Sequence, residues 1–121
     1  MLIDVESADP LDDEACEHEH EGVDHEAIDP DVLERAAAIF HAAGDPGRLR
    51  ILHCLLCEEH CVSDLAAEMG DAMSTISQRL KVLRSQRLVT RRRDGKHIYY
   101  GLADDHVAEL VRSAIEHASH H

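Results

Sequence analysis

Apolar residues along this chain recur at helical spacing, give way to two short strand candidates about a turn signal, and then return to helical spacing. Val32, Leu33, Ala36, Ala37, Ile39 and Phe40 fall on one side of a helix. Asp29-Pro30 opens that helix, with aspartate as N-cap and proline at the first helical position, and Gly44 closes it. Asp45-Pro46 repeats the start signal for a second helix, through Leu49, Ile51, Leu52, Leu55 and Leu56 to about Glu58. After a break at 59–61, Val62–Met69 reads as a short third helix, residues 70–73 as a turn, and Ser74 to about Gln86 as a fourth helix. Two short helices about a glycine-containing turn make the helix-turn-helix pattern. Leu88–Arg93 and Lys96–Leu102 are strand candidates joined at Asp94-Gly95, a two-residue hairpin signal. Residues 104–121 return to helical spacing, with Val107, Leu110, Val111, Ala114 and Ala118 on one face. The predicted fold is mainly α within an α+β class: a winged helix-turn-helix in the order α-α-α-α-β-β-α.

Placing the polar residues on this frame suggests a nucleic-acid surface. Ile76, Leu80 and Leu83 form the buried stripe of the fourth helix. Ser74, Gln78, Lys81 and Ser85 lie opposite, with Thr75, Ser77, Arg79 and Arg84 on the flanks. Such a face is hydrogen-bonding and basic, which suits a major groove. The hairpin tip carries Arg91, Arg92, Arg93, Lys96 and His97, cations suited to phosphate. Candidate DNA contacts are therefore Ser74, Thr75, Ser77, Gln78, Arg79 and Lys81 on the helix, and Arg92, Arg93, Lys96 and His97 on the wing. An ordinary solvated helix face and a charged edge-strand guard are the plainer alternatives.

A net charge of −13 argues against a nucleic-acid partner until its distribution is considered. Residues 1–34 hold fourteen acids and no Lys or Arg, whereas residues 74–100 hold eight bases against Asp94 alone. The chain thus divides into a flexible acidic arm at 1–28, without hydrophobic periodicity, and a DNA-binding and dimerisation domain at 29–121 with one basic patch. No signal peptide or 18-residue apolar run appears, so a soluble cytoplasmic protein with no membrane partner is expected. The four cysteines lack a secreted-framework spacing and read as thiols; Cys54 and Cys57 fit small core residues of the second helix. His41 and His53, alone on helices, read as structural or solvated. No H-E-x-x-H, phosphate loop or nucleophile elbow occurs, and an enzyme is not expected.

The last helix carries the most specific chemistry. At about 100° per residue, His106, His117 and His120 fall in one narrow strip. With Asp104 they make an N/O ligand set suited to zinc. His106 and His117 are eleven residues apart, roughly 16 Å along a helix, while zinc holds its ligands at about 2 Å. One helix cannot close this set around one ion. Asp104/His106 and His117/His120 meet only if a second copy runs antiparallel beside the first, which a twofold homodimer provides, with two equivalent sites. The alternatives are Asp104 as a plain N-cap, solvated His117 and His120, and a terminal His-His left from expression.

The ordered combination of GDPGRLRIL (44–52), HCVSDLA (60–66), STISQRLKVLRSQRLV (74–89), RRDGKHIYYGL (92–102) and D-x-H-x10-H-x2-H (104–120) resembles the ArsR/SmtB metalloregulators over residues 30–121. The resemblance implies a homodimeric winged-helix repressor of the zinc-sensor type, with first and last helices building the dimer interface. It carries over the C-terminal set Asp104, His106, His117 and His120 in full. It also implies a second set of Cys16, His20, Cys61 and Asp64, with His18 as a substitute and Cys57 as a possible added thiolate. Cys61-Val62-Ser63 stands where arsenic and lead sensors carry Cys-Val-Cys, which counts against a trithiolate site. The expected function is a metal-responsive repressor that binds double-stranded operator DNA as an apo dimer. It would leave on binding a regulatory Zn(II), with Cd(II), Co(II) and Pb(II) as further candidates. Its rivals are a thiol-redox repressor using Cys16, Cys54, Cys57 and Cys61, and a zinc-buffering protein with no DNA role, suggested by eleven histidines.

Overall fold

The computed structural model describes residues 27–120. Five helices and one antiparallel hairpin follow in the expected order: α1 (Pro30–Ala43), α2 (Pro46–Cys54), α3 (Val62–Met69), α4 (Met73–Ser85), β1 (Val89–Asp94), β2 (His97–Leu102) and α5 (Asp105–Ser119). The acidic arm and its Cys16, His18 and His20 lie outside the described residues.

Local chemistry sets the boundaries. Asp45 caps α2, its Oδ2 accepting the Arg48 N–H at 3.0 Å, and Pro46 occupies the first helical turn, where no N–H is needed. The Arg48 guanidinium turns back across the corner. Its Nε donates to the Ala42 carbonyl at 2.6 Å and its Nη2 to the His41 carbonyl at 3.3 Å, so it satisfies carbonyls at the end of α1. Gly70 ends α3 in the left-handed region (φ 71°), its N–H donating to the Ala66 carbonyl at 2.8 Å. After α4, Arg87 takes the same left-handed conformation (φ 59°). Leu88 N–H then reaches the Leu83 carbonyl at 3.0 Å, a Schellman ending with arginine where glycine is usual.

The Arg48 N–H bond is the largest influence on the Asp45 carboxyl and holds it below the usual aspartate range. A lowered folded-state value means the cap stabilises the fold above the unfolded-state value, and the contribution disappears as pH falls through the folded one. Asp45→Ala is therefore expected to lower the thermal midpoint by a few degrees at neutral pH. The difference from the parent should vanish in acid below the aspartate range; an equal deficit at both pH values would remove the cap as its cause.

Ile51, Leu52, Leu65, Ile76, Leu80, Leu83 and Val89 are fully enclosed, drawing α2, α3, α4 and β1 onto one core, with Val107 and Val111 of α5 closing it. Burying side chains of this size contributes about 1.5–3 kcal/mol each.

Three expectations change. The second helix ends at Cys54 rather than near Glu58. The chain turns there because His60 must reach β2, where it exchanges two backbone hydrogen bonds with Tyr100 (3.1 and 2.8 Å). Cys57 consequently sits in a turn and is exposed, not a core residue, whereas Cys54 is half-buried. Along α1, among the described residues, Leu33 is 57% and Phe40 62% exposed, only Ala42 is buried, and Ile39 and Ala43 are half-buried against the core. Ala114 and Ala118 of α5 are exposed as well.

Candidate nucleic-acid interface and metal positions

Ile76, Leu80 and Leu83 anchor α4 in the core, which turns Ser74, Ser77, Gln78, Lys81 and Ser85 outward, all exposed. Thr75 and Arg79 are half-buried. Arg79 serves the fold: its Nη1 donates to Asp71 Oδ2 at 2.8 Å across the helix-turn-helix corner. Its guanidinium also lies against Gly47, so close that a Cβ there would be 2.6 Å from Arg79 Cζ. Of the six helix residues expected to face DNA, Arg79 is thus the one whose charge is already engaged.

The hairpin sorts its basic residues by strand alternation. Cross-strand partners are Val89 with Leu102, Arg91 with Tyr100, Arg93 with Ile98, and, on the other face, Arg92 with Tyr99 and Asp94 with His97. Val89 is buried, so the first of these faces is the one turned toward the helices. On the second, Arg92 is held three ways. Its Nε donates to Glu59 Oε1 at 2.9 Å with Nη2 ion-paired to the same oxygen at 2.8 Å, Asp94 Oδ2 lies 3.8 Å from Nη1, and its Cζ sits 5.1 Å from the Tyr99 ring centroid. The Glu59 hydrogen bond, then its charge, raises the Arg92 pKa further. Glu59 reaches Arg92 because Gly101 leaves room: a Cβ at 101 would stand 3.1 Å from Glu59 Cγ. Arg93, Lys96 and His97 are exposed at the tip. Sequence reasoning missed Glu59, an acid in a break between helices with no periodicity to mark its neighbour.

The C-terminal candidates lie at the two ends of α5. Asp104 is the N-cap, its Oδ1 accepting the Val107 N–H at 3.0 Å. Capping uses one carboxylate oxygen and leaves the other for a monodentate ligand role, so cap and ligand are compatible. Asp104 and His106 border one open cleft of about 800 Å³ together with Arg35 and Arg87. His117 stands in the last turn of α5, and His120 is its C-cap. All four residues are exposed. Among the described residues, no three His, Cys, Asp or Glu side chains of one chain are arranged to hold an ion.

Of the second set, Cys61 is the N-cap of α3, half-buried, with its Sγ 3.2 Å from Ser63 Oγ. Asp64 is exposed in the same first turn. The His60–Tyr100 bridge brings this pair beside the wing, a proximity the sequence did not announce. Cys54 is a poor thiolate: burial, then Glu68, pushes its pKa up.

A helix-turn-helix whose second helix is followed by a basic hairpin defines a winged helix-turn-helix DNA-binding protein. Residues 45–91 match the family model described as "Bacterial regulatory protein, arsR family". The "Transcriptional repressor SmtB homolog" of Synechocystis sp. is 45% identical over 95 residues, 78% of this chain and 72% of that protein. The regulator NmtR of Mycobacterium tuberculosis is 39% identical over 93 residues, 77% of this chain and 78% of that one. A winged helix-turn-helix DNA-binding domain of Mycobacterium bovis, described as homodimeric and a possible ArsR-family regulator, superposes with a TM-score of 0.72. It is 31% identical, covering 81% of this chain and 93% of that one. The chain belongs to the arsR family of bacterial regulatory proteins, and it is a transcriptional regulator rather than an enzyme. No helix among the described residues is long and apolar enough to cross a membrane.

Proposed function

We propose that this protein is a homodimeric, metal-responsive repressor that binds operator DNA without metal and releases it when Zn(II) binds. The observation that carries the reading is the placement of four exposed N/O side chains at opposite ends of α5, beside an α1 whose Leu33 and Phe40 stand exposed among the described residues. A twofold partner laid on α1 and α5 covers these two residues. It also sets Asp104 and His106 of one protomer against His117 and His120 of the other. When bound, Zn(II) supplies a cross-link between the two α5 helices. The relatives named as repressors support a DNA role, and the exposed Ser74, Ser77, Gln78 and Lys81 supply its reading surface. Cys16, His20, Cys61 and Asp64, with His18 or Cys57 as stand-ins, form the second candidate set. Its Cys61/Asp64 half lies next to the wing. The half-buried Cys54, its thiol pKa pushed up by desolvation, weighs against the thiol-redox alternative, and the basic wing against a buffering role.

Titration of operator DNA with the protein, followed by anisotropy with and without Zn(II), tests this reading. Expected is tight binding without metal and a loss of about 5–150-fold on adding it. DNA affinity indifferent to Zn(II), Cd(II) and Co(II) would refute the sensor role, and no DNA binding at low salt would refute the repressor role.

A further inference from the structure

The core-facing side of the wing and the outer flank of α4 meet in an open cleft of about 440 Å³ lined by Ser77, Lys81, Arg84, Ser85, Arg91 and Tyr100. Three of these six are cations. None of them has an ion-pair partner among the described residues: the acids on this surface are engaged elsewhere, Asp71 by Arg79 and both Glu59 and Asp94 by Arg92. The cations arrive from two elements for reasons of register. Lys81 and Arg84 are three apart on α4 and so share a side of that helix. Arg91 lies two residues beyond buried Val89, on the same strand face and opposite Tyr100. Two hydroxyls, of Ser77 and Tyr100, complete the lining, while the Ser85 Oγ is already donating to the Val82 carbonyl at 2.6 Å. Like charges left unneutralised around a concave surface repel one another and are stabilised by an anion placed between them.

We infer that this cleft seats one backbone phosphate of bound DNA, held between Arg84 and Arg91 with Lys81 beside them. The inference rests on the DNA-binding reading and changes where its electrostatic contribution lies. The sequence directs attention to Arg92, which the fold has committed to Glu59, Asp94 and Tyr99. The neighbouring Arg91, facing the other way, has no ion-pair partner among the described residues. The ligand is a phosphodiester where a strand passes from the groove read by α4 toward the wing. A doubly charged oxyanion such as free phosphate shares that chemistry, and the test separates the two.

The test uses the full-length protein and a duplex that it selects from a random library. Arg84→Gln and Arg91→Gln are each expected to weaken binding about tenfold and to reduce the slope of log affinity against log salt by about one. Arg84→Lys should keep the slope. Duplexes carrying one neutral methylphosphonate at a time should reveal a position in each half-site that weakens the parent but not the Arg84→Gln, Arg91→Gln double variant. The inference is overturned if both single variants keep the parental slope, or if the double variant retains the parent's sensitivity at every position. It is equally overturned if inorganic phosphate at constant ionic strength binds the free protein while no methylphosphonate position matters, which would make the cleft a free-anion site. Failure of the parent to bind any duplex is a different result, and it removes the DNA-binding reading itself.

Discussion

Replacing His117 with alanine is expected to leave operator affinity of the metal-free protein unchanged and to abolish its decrease on adding Zn(II). His117 sits exposed in the last turn of α5, on neither α4 nor the wing, so its loss removes none of the candidate DNA contacts. It does remove one of four ligands, and a tetrahedral site short of a ligand loses affinity and geometry together. The coupling between metal and DNA, about 1–3 kcal/mol in typical linked systems, should fall to nothing. Because linkage is reciprocal, operator DNA should weaken Zn(II) binding to the parent by the same factor and leave the residual binding of the variant alone. Competition with a chromophoric chelator measures both. Normal zinc-driven release by His117→Ala, together with its loss in Cys61→Ser, would move regulation to the set that includes Cys61 and Asp64.

Phe40→Glu should convert the protein to a monomer and cost it most of its operator affinity. Phe40 is 62% exposed in the single chain. It borders an almost wholly apolar cleft of about 170 Å³ with Leu49, Leu110, Val111 and Ala114. A glutamate there meets water in the monomer and is tolerated, whereas in a dimer built on α1 and α5 it is an unpaired buried charge costing about 3–5 kcal/mol. Two reading helices bound through one dimer gain about 10²–10⁴ in affinity over either alone, and that gain is what the variant should lose. Sedimentation at micromolar concentration and DNA titration provide the measurements. A variant that remains dimeric would place the interface elsewhere and remove the basis for a cross-subunit metal site.

The elements were legible because each is written locally. Asp45-Pro46 and Asp104 are caps in fact, the turn signal Asp94-Gly95 joins the hairpin, and the stripe of Ile76, Leu80 and Leu83 is enclosed as its spacing requires. Apolar spacing did not reveal which faces the chain would cover itself. Leu33 and Phe40 share the pattern of core residues, yet both stand exposed among the described residues. Cys57 looked like core because it continues the α2 pattern, but the long-range His60–Tyr100 pairing ends that helix first. The charge on Arg79 and Arg92 was legible and its use was not. Their partners, Asp71 and Glu59, are set by tertiary approach, in the second case across 33 residues of sequence. Arg84 and Arg91 became visible as a pair only when strand alternation and helix register were put in one frame.

Gly47 lies outside α4, yet the Arg79 guanidinium of that helix rests on it. A methyl group at that position would evict the guanidinium and strain or break its pairing with Asp71, the brace across the corner from which α4 projects. The angle at which α4 is offered to a groove can therefore drift by substitution at a residue outside that helix. Operator preference in such a scaffold is open to change through its supporting architecture while every reading side chain stays the same.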